Sequence, residues 1–187
     1  MPAGSAGIGD ALDRYRDLVD RMDEAARAVS PPGSPGPCGG CHACCGPLSL
    51  LPLEAYLLLT TGLLDDPPTA PAACPLLDDG RCRAQGARPF ACRARGLAVR
   101  HLDAAGCWTI GACGFIGRGG RGRNGGDRAA PLAEWAALLF HLDREFRGRV
   151  GLRAGRIALA DLCRAPDRYR ALLCVPADLP LVSRAAT

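Results

Sequence analysis

Four thiols stand within eight residues at positions 38–45, which read CGGCHACC, and three more follow at Cys74, Cys82 and Cys92. Seven of the eleven cysteines therefore fall in one segment of 55 residues. Thiolates spaced this way either pair as disulfides or hold metal. A C-x-x-C pair such as Cys38 and Cys41 chelates because two intervening residues let both sulfurs reach one ion, while backbone N–H groups of the turn donate to them. Gly39 and Gly40 make that turn easy. Vicinal Cys44 and Cys45 diverge, so they suit two sites or two metal atoms of one cluster. If the stretch is helical, Cys38, Cys41 and Cys45 share a face and Cys44 is offset from it. Both geometries point to more than one bound metal atom.

The setting favours metal over disulfides. The opening residues, MPAGSAGIGDALDRYRD, contain no basic n-region and no apolar h-region, and acids stand already at Asp10, Asp13 and Asp17. The expected location is the cytoplasm, a reducing compartment in which clustered thiols read as ligands or redox groups. No membrane span is expected: the most apolar run, residues 48–64, is interrupted by Pro52, Glu54 and Gly62.

The second half of the constellation, CPLLDDGRCRAQGARPFACR at residues 74–93, is crowded by Arg81, Arg83, Arg88, Arg93 and, just beyond it, Arg95. Four thiolates around zinc or around an iron–sulfur cubane leave net negative charge, which arginine is suited to balance. Arg88 and Arg93 are the expected cofactor-supporting pair; the alternative for all five is a solvated surface role. His42 reads as a neighbour of the ligands, His101 and His141 as packed or surface groups, and Cys163 and Cys174 as small buried hydrophobes on helices. Cys113 could be a late ligand or a resolving thiol. The C-x-x-C-H pattern of haem attachment at residues 38–42 requires export and leaves Cys44 and Cys45 without a role. A radical-SAM triad fails because position 48 is Leu48.

The elements that must position these thiols are helical. Residues 8–29 place Ile8, Leu12, Tyr15, Val19, Met22, Ala26 and Val29 on one face. SPPGSPGP at residues 30–37 breaks that helix. A second helix is expected over residues 52–63, with Pro52 in its first turn and Gly62 near its end. The sequence DDG at residues 78–80 signals a hairpin or knuckle between Leu77 and Cys82. Beyond a Gly- and Arg-rich run at residues 114–127, Leu132, Trp135, Leu138, Leu139, Leu142 and Phe146 form a helical stripe opened by Pro131. Residues 157–163 and 167–174 read as two short closing helices separated by Pro166. The expected fold is mainly α, a small metal-stapled domain with an irregular cysteine-rich core between terminal helices. Its divisions are residues 1–36, amphipathic helix and linker; 37–114, the cysteine cluster; 115–130, the Gly/Arg loop; and 131–187, the C-terminal helical segment.

The ordered motifs CGGCHACC, CPLLDDGRC and ARPFACR resemble those of the CxxCxxCC, or YkgJ-like, family of zinc- or iron-chelating cysteine-cluster proteins. The resemblance covers residues 37–107 and implies as metal ligands Cys38, Cys41, Cys44, Cys45, Cys74, Cys82 and Cys92, with Cys107 as an eighth. The chain departs from the family where a tyrosine is common and Gln85 stands instead. Flagellin lysine N-methylases share the cysteine signature but are much larger, and no G-x-G-x-x-G follows a clear strand here.

Composition narrows the rest. All 23 cationic side chains are arginine, so no lysine is available as a Schiff-base nucleophile or a phosphate-loop lysine. A net charge of +4 with interspersed acids does not mark a nucleic-acid binder. GRGGRGRNGG at residues 117–126 resembles RNA-binding arginine–glycine segments, with a linker as the plainer reading. The expected function is metal binding, with zinc or iron, the latter as an ion or an iron–sulfur cluster, as cofactor. An iron–sulfur oxidoreductase or methylase-like enzyme and a zinc-scaffolded RNA-binding module are the alternatives.

Overall fold

A computed structural model of the chain describes residues 5–29, 45–65, 73–95, 99–102, 108–111, 131–153 and 155–176. The amphipathic N-terminal stripe forms α1, Ser5–Val29. Its buried face carries Leu12, Tyr15, Val19, Met22 and Ala26 as the periodicity predicts, together with Leu18, which is fully inaccessible. The second helix, α2, spans Pro52–Thr60. It stops three residues short of the expected end, and Gly62 supplies the left-handed conformation just past it, with φ of 69°. Next come a hairpin of β2, Leu77–Asp78, and β3, Arg81–Cys82, and then α3, Phe90–Ala94.

Strands β4, Val99–Leu102, and β5, Trp108–Gly111, pair antiparallel with Leu102 opposite Trp108. The sequence reading had not anticipated this ladder. The long C-terminal stripe is α4, Leu132–Val150, closed by Gly151 at φ of 73°. A short strand β6, Ile157–Ala158, pairs antiparallel with β1, Ser49–Leu50. It leads into α5, Leu159–Arg164, and α6, Pro166–Leu172. The described residues are mainly helical, with three separate two-stranded ladders. None of these helices is long and apolar enough to cross a membrane.

Helix α2 lies at the centre because it is apolar nearly all round. Leu53, Ala55, Leu58 and Leu59 are almost wholly buried, the condition expected of a helix enclosed by others. It packs on α4, which also packs on α1, and α1 reaches α3. The rings of Tyr56 and Phe146 meet edge to face with centroids 5.3 Å apart, joining α2 to α4. Buried side chains from Leu12 to Leu173 belong to one hydrophobic cluster. The two terminal helical segments therefore share a core with the residues around the cysteines.

The N-cap of α2 is Leu51, whose side chain has no acceptor to offer the first turn. Its orphan donors are satisfied by two buried acids instead. Glu54 accepts from the Leu51 N–H at 3.0 Å, and Asp143 on α4 accepts from the Leu53 N–H at 3.1 Å. Asp143 is 2% exposed and also accepts from Arg147 Nε at 2.7 Å. Asp143→Ala should destabilise the fold by about 2 kcal/mol, because it leaves one buried N–H and one guanidinium without their acceptor. Urea denaturation checks this, and a loss near zero would mean that water replaces the carboxylate at both donors.

Candidate metal centre

The Asp-Asp-Gly turn brings two of the distant cysteines together. Asp79 and Gly80 both take positive φ, 43° and 70°, as the tight two-residue hairpin turn requires. This sets Cys82 opposite Leu77, and the pairing extends outward through the Arg83 N–H donating to the Leu76 carbonyl at 2.8 Å. Cys74 sits just beyond, its carbonyl accepting from the Leu77 N–H at 3.0 Å. Cys92 comes from α3, where its N–H bonds the Pro89 carbonyl at 3.0 Å. Cys45 comes from the other direction. It precedes β1, whose pairing with β6 extends through the Leu159 N–H to the Leu48 carbonyl at 2.9 Å.

These four cysteines, separated by up to 47 positions in sequence, line one cavity of about 40 Å³ with Leu48, Leu76 and Leu159. Burial pushes the Cys92 thiol up to about 12; the neighbouring Cys74 and Cys82 thiols add to this, and Arg95 and Arg88 oppose it. Cys45 is not in a helix, so a shared helical face with Cys38 and Cys41 does not extend to it. Cys38, Cys41, Cys44, Cys107 and Cys113, with His42, lie outside the described residues, as does the whole Gly/Arg run at 115–130.

Among the described residues no three Cys, His, Asp or Glu side chains form a ready metal-holding group. The donor chemistry nevertheless fits a thiophilic metal: four cysteines line one largely apolar cavity, and half of the eight expected ligands lie outside the described residues. Cys45, Cys74, Cys82 and Cys92 would hold zinc or iron there. Arg88 and Arg95 would offset the negative charge of the thiolates.

The two arginines singled out in the sequence have different roles. Arg93, 4% exposed, is fully engaged: Nε donates to the Arg88 carbonyl at 2.9 Å, Nη2 donates to the Gly86 carbonyl at 2.9 Å, and Nη1 pairs with Asp23 on α1. It clamps α3 against α1 and is not among the residues lining the thiol cavity. Arg88 does line it, and so does Arg95, which residue spacing alone does not distinguish from its neighbours.

Glu54 was missed entirely as a positioning residue. Its Oε1 accepts from Tyr15 Oη on α1 at 3.3 Å and from the Phe90 N–H, at the start of α3, at 2.8 Å. Together with the bond to Leu51, one carboxylate thus joins α1, α2 and the helix that carries Cys92. Burial raises its pKa despite these three donors, which favour the charged form. The available signal was a lone acid in an otherwise apolar helix.

The expectations for the late cysteines divide. Cys174 is exposed rather than buried, because α6 ends at Leu172 and residue 174 turns outward with φ of 54°. Cys163 is half-buried on α5, near enough to Cys74 that the latter adds to the upward push of burial, to about 11, on its thiol. It is nevertheless not among the residues lining the cavity. Cys163→Ser should therefore keep full metal loading and lose only about 1 kcal/mol of stability; metal analysis beside urea denaturation checks both. His141 is a surface residue, its Nε2 2.9 Å from Glu145 Oε1 on the same helix.

No family model, no curated protein and no solved structure matches the chain.

Proposed function

We propose that this is a metal-binding cysteine-cluster protein of the YkgJ-like kind, holding zinc or iron, the iron as an ion or an iron–sulfur cluster, through Cys38, Cys41, Cys44, Cys45, Cys74, Cys82, Cys92 and Cys107. One observation carries the reading: Cys45, Cys74, Cys82 and Cys92 come from three separate stretches of chain and face a single cavity flanked by arginine. Hydrophobic packing alone gives no reason for four soft donors to converge there. Structural metal sites use such convergence, since binding free energy offsets the chain entropy of a loop-rich segment. Under this reading the clustered thiols are reduced ligands, which suits a reducing compartment such as the cytoplasm.

Anaerobic purification followed by metal and inorganic-sulfide analysis tests the proposal. Brown protein with iron and sulfide identifies a cluster, and colourless protein with stoichiometric zinc identifies a structural ion. Protein that retains neither, even after anaerobic reconstitution with zinc or with iron and sulfide, overturns the reading.

A further inference from the structure

A second cavity adjoins the thiol cavity, and Arg88 and Pro89 line both. It lies between α1, α2 and residues 86–89, and its volume is about 140 Å³. Val19, Leu57, Ala87 and Pro89 make its wall largely apolar.

What such a cavity can hold follows from what its polar neighbours have left to offer. Tyr15 Oη donates to Glu54, and the Glu54 oxygens also accept from the Phe90 and Leu51 N–H groups. The Thr60 and Thr61 hydroxyls donate to the Leu57 and Leu58 carbonyls at 2.7 and 2.6 Å. Arg93 is held by Asp23 and by the Arg88 and Gly86 carbonyls. Arg16, half exposed, pairs with Asp13 at 2.6 Å. Arg88 also lines the thiol cavity, and its Nε and Nη1 are closed to solvent, so no ligand atom in this cavity meets them. A charged ligand would therefore give up its hydration with no partner to replace it, a large uncompensated cost. An apolar one leaves water favourably and gains dispersion contacts with the wall.

We infer that this cavity binds one small neutral apolar molecule, a single ring or a hydrocarbon chain of similar size, seated against Val19, Leu57 and Pro89. The volume sets the size, since an apolar cavity of roughly 150 Å³ accepts benzene. The selectivity is against charge: the same ring carrying a carboxylate or an ammonium group is refused. The inference goes beyond metal binding and does not rest on it.

Methyl-resolved NMR titration of the full-length, anaerobically purified protein tests it, with benzene and toluene as probes and benzoate and benzylammonium as charged controls. At least one hydrocarbon should bind saturably and shift the Val19 and Leu57 methyl signals most, with both charged rings at least about tenfold weaker. Leu57→Trp, at a half-buried position, fills the cavity and should abolish binding while preserving the far-UV dichroism. If that variant does not fold, the location of the shifts in the wild-type protein decides. No saturation by either hydrocarbon up to about 5 mM, equal binding of a charged ring, largest shifts remote from Val19 and Leu57, or unchanged binding in folded Leu57→Trp would each overturn the inference. Metal content is measured on the same samples. Metal-free protein that binds the hydrocarbons supports this site while failing the metal reading, and metal-loaded protein that ignores them does the reverse.

Discussion

Cys74→Ser, Cys82→Ser and Cys92→Ser are each expected to lose more than about half of the bound metal, because a tetrahedral or cubane site rarely tolerates an empty thiolate position. The three cysteines line the same cavity, and under the proposed reading each supplies one ligand. Serine keeps the size of cysteine but offers a hydroxyl that is a poor ligand for soft metals. Since structural metal binding is worth roughly 10–16 kcal/mol in small zinc domains, the variants should also unfold at lower denaturant concentration and aggregate. Cys174→Ser serves as the control, since Cys174 is exposed and far along the chain from the hairpin. Full loading in the three cavity variants, or equal loss in the control, would show that the cavity is not the metal site.

Glu54→Ala should destabilise the protein by about 3–5 kcal/mol, a large part of the stability of a small domain. The carboxylate is 5% exposed, and truncation leaves the Tyr15 hydroxyl and the Leu51 and Phe90 N–H groups without an acceptor. Because Phe90 opens the helix that carries Cys92, metal affinity should fall with stability, a coupling that Asp143→Ala should show more weakly.

The pH dependence of Glu54 has a definite sign. Burial raises its folded-state pKa above the usual carboxylate value near 4.5. The folded protein therefore holds more protons than the unfolded chain between those two pKa values, and stability falls as pH rises through that window. Glu54→Gln removes the ionisable group while keeping an oxygen for Tyr15 and Phe90, so urea midpoints of wild type and Glu54→Gln should converge, or cross, on going from about pH 5 to about pH 7. A gap that widens with pH would mean that the hydrogen bonds, not burial, dominate at this site.

Much of the architecture was legible because it is local. The apolar stripe of α1, the start of α2 at Pro52, the Asp-Asp-Gly hairpin, and the stripe of α4 after Pro131 each follow from residue types a few positions apart. The end of α2 was overrun by three residues, because the apolar run continues through Leu63 and Leu64 after the backbone has already turned at Gly62. The ladder of β4 and β5 escaped because each strand has only four residues, too few for alternation to stand out.

The sequence by itself determined the donor chemistry: which side chains can bind a soft metal, that two cysteines flank a tight hairpin, and that helices must frame them. Those properties depend on residue type and short-range spacing. Only the tertiary structure decided which arginine meets the thiols and which one clamps α3 to α1, since Arg88 and Arg93 look alike in sequence and differ only in what packs against them. It also decided that Glu54 unites α1, α2 and α3, and that Cys174 turns outward while Cys163 approaches Cys74. Each of these depends on burial and on partners tens of residues away, and local periodicity carries no information about such distant contacts.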